Sequence, residues 1–218
     1  MDRSDPHQFC SCRFISRFSQ LQRRLVIPDI HGCASTLKKL LQQLDLKLDD
    51  QLFFLGDYIN KGPDSLGVLA CIQNLIDQRY NVFPLLGNHD QMMLQYLETR
   101  EEAIGEKLIE MNGPEFISDQ IYEFEKYRHF LSQLVVLYES GDFLLVHAGF
   151  DFSLPDPFSD LSTMLTIREF EYDKKKTDGK RIVHGHYPHP LGHIQSAIRD
   201  RSDIIPLDNG CVYEDRTG

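Results

Sequence analysis

Leu25-Val26-Ile27-Pro28-Asp29-Ile30-His31-Gly32 decides how the chain is read. Three apolar residues, enough for a short buried strand, run directly into an aspartate, a histidine and a glycine. The same sentence is then repeated along the chain. Leu52 to Leu55 ends at Gly56-Asp57, and Val82 to Leu86 ends at Gly87-Asn88-His89-Asp90. Phe143 to Val146 ends at His147-Ala148-Gly149, and Ile182-Val183 runs into His184-Gly185-His186. Between the first three strands the period changes from strand to helix. Leu37, Leu40, Leu41 and Leu44 mark a helix over roughly 34–45, and Leu66, Leu69, Ile72, Leu75 and Ile76 mark another over about 64–78. Strands alternating with amphipathic helices predict an α/β fold. In such folds the strand ends converge on one edge, where ligands bind.

Working outward, Leu134 to Tyr138 reads as a further strand, with Ser140-Gly141-Asp142 as a hairpin turn before Phe143. Asp203 to Leu207 is the last strand, followed by Asp208-Asn209-Gly210. A loop over about 150–160 leads to a short helical segment carrying Arg168. Over about 98–128 the strand signal vanishes. Ile104, Leu108, Met111, Ile121 and Phe124 are spaced for helices burying one side, with acidic residues in excess on the solvated face, so this stretch is expected to be a helical insertion.

Composition bounds the rest. The 218 residues suit one large domain, and 41% apolar with 26% charged residues is ordinary globular usage. The division expected is a tail over 1–23 and one domain over 24–218. Phe14, Phe18 and Leu21 would share a helical face, so the tail reads as a short docking helix or a disordered segment. No apolar run reaches membrane-spanning length. Lys and Arg number 23 against 33 Asp and Glu, a net charge of −10, which argues against a duplex nucleic-acid partner. Five scattered cysteines predict reduced thiols and a cytoplasmic setting.

The strand-end residues are Asp, Asn and His, with no Cys among them. Mixed imidazole and oxygen donors suit Mn, Fe or Zn better than calcium or an iron–sulfur cluster. An aspartate between two cations can use both its oxygens, holding the ions ~3.5–4 Å apart for in-line displacement at phosphorus.

Ordered along the chain, these residues resemble the motifs of the calcineurin-like metallophosphoesterases. Within that family they are similar to the bacterial and phage PPP-type serine/threonine protein phosphatases, which are close to the symmetrical diadenosine tetraphosphatases. Pro28-Asp29-Ile30-His31-Gly32 matches the family's Gly-Asp-x-His-Gly, and Gly56-Asp57-Tyr58-Ile59-Asn60-Lys61-Gly62 matches Gly-Asp-x-x-Asp-Arg-Gly. Gly87-Asn88-His89-Asp90, Val146-His147-Ala148-Gly149 and Gly185-His186 match the remaining three. The resemblance implies a β-sandwich flanked by helices (α/β/β/α) and two divalent metal ions, Mn2+ first, with Fe or Zn as alternatives. It implies Asp29, His31 and Asp57 on one ion, and Asp57, Asn88, His147 and His186 on the other. His89 would be the acid for the leaving oxygen, with Asn60 beside it. Arg168, Lys61 and Asn88 would hold phosphate. Met111-Asn112-Gly113-Pro114 resembles part of a loop beside the substrate. His184 reads as a structural histidine.

The second motif departs from the family at two places, with Asn60 for Asp and Lys61 for Arg. An amide in place of the carboxylate is expected to accept a hydrogen bond from His89 without adding charge, which weakens the histidine's hold on a proton. Lys replaces a planar fork by a point charge. The activity implied is hydrolysis of phosphomonoesters by in-line attack of a metal-bridging hydroxide, on phosphoserine or phosphothreonine in a protein or peptide, or on a small phosphoester. Two alternatives stand beside it: a symmetrical dinucleoside polyphosphate hydrolase, and a metal- and phosphate-binding protein weakened in turnover by Asn60 and Lys61.

Overall fold

A computed structural model describes residues 12–14, 22–112, 116 and 120–213. The strands are β1 (Cys12–Phe14), β2 (Arg24–Ile27), β3 (Gln51–Phe54), β4 (Asn81–Pro84), β5 (Leu137–Ser140), β6 (Phe143–Val146), β7 (Arg181–His184) and β8 (Ile204–Pro206). The helices are α1 (Ala34–Leu44), α2 (Ser65–Asp77), α3 (Asn88–Thr99), α4 (Glu102–Asn112), α5 (Ile121–Glu125), α6 (Arg128–Ser132), α7 (Leu161–Thr166) and α8 (Leu191–Arg199). The strands form two sheets. One is parallel, in the order β2-β3-β4; the other is mixed, in the order β1-β5-β6-β7-β8. Only the β5–β6 pair is antiparallel among the described strands. Its Ser140↔Phe143 register leaves Gly141 and Asp142 as the turn, with Gly141 at φ +61°, as the hairpin expectation required.

The period-two alternation of side chains sorts each strand between two cores. Phe53, Leu55, Leu85, Val135, Tyr138, Leu145, Val183 and Ile205 form one apolar cluster drawn from both sheets. Their neighbours Leu52, Phe54, Leu86, Leu144, Val146 and Ile182 belong to the larger core shared with the helices. Helix α2 packs on β4 and α8 on β8, so each sheet has helical cover. The result is a β-sandwich flanked by helices.

Three expectations are corrected. The strand expected at Leu134 to Tyr138 starts later, at Leu137; Val135 instead makes a single parallel bridge to Leu85, and Leu86 N–H donates to its carbonyl (2.8 Å), joining the two sheets. Arg168 lies beyond α7, because Ile167 takes extended backbone angles (φ −67°, ψ 136°) and ends the helix. Cys12–Phe14 is a strand paired in parallel with β5 rather than part of a docking helix, while Phe18 and Leu21 lie outside the described residues. The 98–128 stretch is helical where described, with Ile104, Leu108, Ile121 and Phe124 buried as expected and Met111 half-buried. No described helix is long and apolar enough to cross a membrane. Cys33, Cys71 and Cys211 carry free thiols.

Candidate metal centre

The chemistry-bearing residues sit just past strand ends or at the start of the next helix. Asp29 and His31 follow β2, Asp57 follows β3, Asn88 and His89 open α3, His147 follows β6 and His186 follows β7. The loops are locked together by their backbones: Ile30 and His31 N–H both donate to the Asp57 carbonyl (3.1 and 2.8 Å). Five site residues, His31, Asp57, Asn60, Lys61 and His186, have φ between +45° and +70°. The other described non-glycine residues with positive φ (Asp45, Arg79, Arg100, Asp178 and Arg201) lie at or just beyond the ends of helical segments. Left-handed backbone is strained for such residues and gathers where the fold over-determines it. Two glycines let the chain come close. A Cβ on Gly87 would stand 2.2 Å from Asp57 Oδ1, and one on Gly185 would stand 2.2 Å from Asp29 Oδ1.

Asp57 is the pivot. Its Oδ2 lies 3.5 Å from His31 Nε2, and its Oδ1 lies 3.6 Å from His147 Nε2. Two groups of side chains that could hold a metal meet on it: His31, Asp57 and His89, and Asp57, His147 and His186. Burial pushes the Asp57 carboxyl up, but His147, His31, His89 and the His89 backbone N–H outweigh it and hold the group below the usual carboxylate range. Burial pushes His31 and His186 down to about 4, so both imidazoles are neutral near pH 7.

Backbone carbonyls fix where their lone pairs point. His31 Nδ1 donates to Ile59 O (3.1 Å) and His147 Nδ1 to Leu55 O (2.8 Å), leaving Nε2 bare in each. His186 Nε2 donates to Thr166 O (3.2 Å), leaving Nδ1 bare.

The donors fit divalent cations on three counts. Asp29 Oδ1 accepts from His186 N–H (2.9 Å), but its Oδ2 is buried without a partner, 3.8 Å from His31 Nε2. Burial, then Asp208 and Asp57, drive the Asp29 carboxyl well above its usual range, which a cation would reverse. Asn88 Oδ1 faces the bare His147 Nε2 at 3.1 Å, two acceptors at the spacing of perpendicular ligands on a metal with bonds of about 2.0–2.2 Å. On the other side a cation already stands in: Lys61 Nζ donates to His31 Nε2 at 2.9 Å.

His89 is close but differently presented. Its Nδ1 faces Asn60 Nδ2 at 2.9 Å, so the amide donates to the ring, the reverse of the acceptor role expected of Asn60. His89 therefore offers an N–H rather than a lone pair towards Asp57, 3.9 Å away, and Asp29 is the better third partner for His31 and Asp57. Arg168 is exposed, with its guanidinium carbon 5.9 Å over the Tyr187 ring, next in chain to His186. His184 is buried against Phe170 and is held down to about 4 by that burial, as a structural histidine should be.

Sequence reasoning missed two residues. Asp90 is fully buried and accepts from Asp57 N–H (2.7 Å), Tyr58 N–H (3.1 Å) and Gly87 N–H (3.1 Å), so it clamps the Asp57 turn. Its place at the end of the Gly87-Asn88-His89-Asp90 run was the available signal. Asn112, noticed only as part of a loop, reaches Asn60 and the Lys61 backbone.

Residues 23–212 match the model of the calcineurin-like phosphoesterases. The chain belongs to that family. It is 30% identical over 162 residues to the symmetrical bis(5'-nucleosyl)-tetraphosphatase of Wigglesworthia glossinidia brevipalpis, covering 72% of this chain and 54% of that protein. The same enzyme of Cellvibrio japonicus is 32% identical over 165 residues, with the same two coverages. The chain thus spans about half the length of these curated relatives. Among solved structures, a candidate diadenosine tetraphosphatase superposes with a TM-score of 0.61 at 23% identity, over 93% of this chain and 90% of that one. A cold-active protein-tyrosine phosphatase of a psychrophilic Shewanella superposes with a TM-score of 0.54 at 18% identity, over 88% and 72%. At these identities the likeness is one of fold. This calcineurin-like phosphoesterase family uses a dinuclear metal centre, for which the His and Asp groups around Asp57 are candidates.

Proposed function

We propose that the chain is a two-metal phosphohydrolase that cleaves a phosphoric anhydride in a dinucleoside polyphosphate. The observation that carries the metal part is Asp57, with one carboxylate oxygen turned to His31 and the other to His147. Asp29, His31 and Asp57 would hold one ion, and Asp57, Asn88, His147 and His186 the other; Mn2+ suits these donors, as do Fe and Zn. When bound, such ions activate water and polarise phosphoryl oxygens. Lys61 and Arg168 would meet the phosphate oxygens from the two sides of the centre. The neutral imidazoles keep their lone pairs available without a proton to displace.

The substrate class rests on the names of the relatives at 30–32% identity. A cavity of about 360 Å³ beside Lys61, lined also by Gly62, Pro63, Ser65, Met111 and Asn112, lies in the size range of small-ligand sites (about 300–1,000 Å³) and supports a nucleoside there. Phosphoserine and phosphothreonine hydrolysis would use the same centre; the motif resemblance speaks for it, but the names of these relatives do not.

The test is product analysis with diadenosine tetraphosphate, a phosphoserine peptide and an aryl phosphate, each with Mn2+, Zn2+ or Fe2+. Symmetrical cleavage to ADP is expected, with Asp57→Asn slower by more than about 100-fold. Phosphopeptide turnover without tetraphosphate turnover would replace the substrate assignment, and an active Asp57→Asn would end the two-metal reading.

A further inference from the structure

A chain of three side chains fixes where the proton of His89 sits. Asn112 is anchored by the backbone at both ends of its amide. Its Oδ1 accepts from the Lys61 N–H (3.1 Å), which can only donate, and its Nδ2 donates to the Leu108 carbonyl (2.7 Å), which can only accept. The amide cannot be turned over without opposing like groups at both contacts. The remaining N–H of Nδ2 therefore points at Asn60 Oδ1, 3.0 Å away. With its oxygen taken, Asn60 turns Nδ2 to His89 Nδ1 at 2.9 Å and to the Met111 sulfur at 4.0 Å. Asn60 is fully buried, so no solvent competes for its amide. An Nδ1 that accepts carries no proton, and the neutral ring must carry it on Nε2, the nitrogen nearer Asp57.

We infer that Asn112 is a positioning residue that, through Asn60, holds His89 as a neutral Nε2–H hydrogen-bond donor, and that this selects substrates whose leaving group needs no proton. If the ring gave up its Nε2 proton it would be left as an imidazolate, since Asn60 brings no charge to compensate and no proton to replace it. His89 thus donates a hydrogen bond to the departing oxygen but not the proton itself. The acid role expected of it is replaced by this one.

The consequence is chemical. In hydrolysis of a phosphoric anhydride, the water oxygen bonds to phosphorus and releases a proton to solvent. The bridging P–O bond breaks, and its electron pair leaves on a phosphate oxygen. That oxygen is comfortable as an anion, because the second ionisation of a phosphate ester lies near ~6. Release of serine would instead place the pair on an alkoxide, the conjugate base of an alcohol about as weakly acidic as water itself. Positioned proton transfer is worth typically ~10²–10⁴-fold in rate, and the alkyl ester is the substrate that lacks it here. This selection deepens the dinucleoside polyphosphate reading and rests on it.

The test begins on the metal-free protein, by long-range 1H–15N correlation of the histidine rings, with His89 identified by its loss in His89→Gln. The Nε2–H pattern is expected for His89 in the wild type. Asn112→Asp presents oxygens only, so Asn60 should turn over, accept from His89 and shift the ring to the Nδ1–H pattern. Asn60→Asp should do the same, and should raise the rate on a phosphoserine peptide relative to diadenosine tetraphosphate by at least 10-fold. An Nδ1–H pattern in the wild type overturns the relay, whether or not either variant folds. An Nε2–H pattern with equal wild-type rates on the two substrates overturns the selection. An Nε2–H pattern with no turnover of either supports the relay and instead refutes the proposed activity.

Discussion

Gly185 shows how little room a single residue has around this centre. Its missing side chain leaves the space into which Asp29 Oδ1 projects, and a methyl group would stand 2.2 Å from that oxygen. Gly185→Ala must move the Asp29 carboxylate away from His31. The expected result is a protein that folds but retains about one equivalent of Mn2+ fewer after dialysis, measured by elemental analysis. The individual ligands were legible in the sequence because each lies within three residues of a glycine at the end of an apolar run. Asp57 in Gly56-Asp57 and His147 in His147-Ala148-Gly149 are of this kind. Asp90 and Asn112 were not legible in their roles. Asp90 stands in a visible run, but it acts on backbone N–H groups, so its residue type and place do not say which turn it clamps. Asn112 acts on a partner 52 positions away, through the orientation of an amide.

At the level of elements, α2 is the helix on which the second motif hangs. Asp64 caps it by accepting from Gly67 N–H (2.8 Å), and Ser65 Oγ, in its first turn, accepts from Asn60 N–H (3.0 Å). Loss of such a cap costs about 1 kcal/mol. Asp64→Ala should therefore lower the unfolding free energy by that amount, which moves the urea midpoint down with an unchanged slope, as followed by circular dichroism. The helix itself was readable from its leucines and isoleucines, and its observed span of Ser65–Asp77 lies within the 64–78 expected. Strand β1 was not readable. Three residues offer no alternation to detect, and their pairing with β5 joins segments more than 100 residues apart. Arg168 was misplaced for a similar reason, since the end of α7 is set by one extended residue, Ile167, within an otherwise helical-looking run.

For the molecule as a whole, the buried histidines make acid the natural denaturant. His184 is held near 4 by burial in the folded protein, against about 6.5 when unfolded. Between those values the unfolded chain binds more protons, so stability rises with pH and is lost as pH falls from 6.5 towards 4. Above 6.5 this group contributes no pH dependence. His184 alone is worth roughly 3 kcal/mol across that window. Urea melts of the metal-free protein from pH 4 to 8 should show this fall, and His184→Gln should remove about one proton from its slope. A slope unchanged by the substitution would assign the acid lability elsewhere. The α/β alternation and its edge-on centre were legible at this scale because strand, polar residue and glycine recur five times in order, whereas the sandwich was implied only by the family resemblance of those motifs. The net charge of −10 says less about the fold than about what the centre must gather: cations first, and phosphate after them.

The left-handed turn at Lys61 sets a bargain between durability and use. A non-glycine residue at φ +65° costs about 1–2 kcal/mol that glycine does not. Breeding this protein for heat resistance alone would therefore favour Lys61→Gly, gaining about 2–4 °C in melting temperature for each kcal/mol relieved. The same step would discard the ammonium that donates to His31. Lineages selected for toughness should lose the centre from its backbone outward, and those selected for turnover should keep its discomfort.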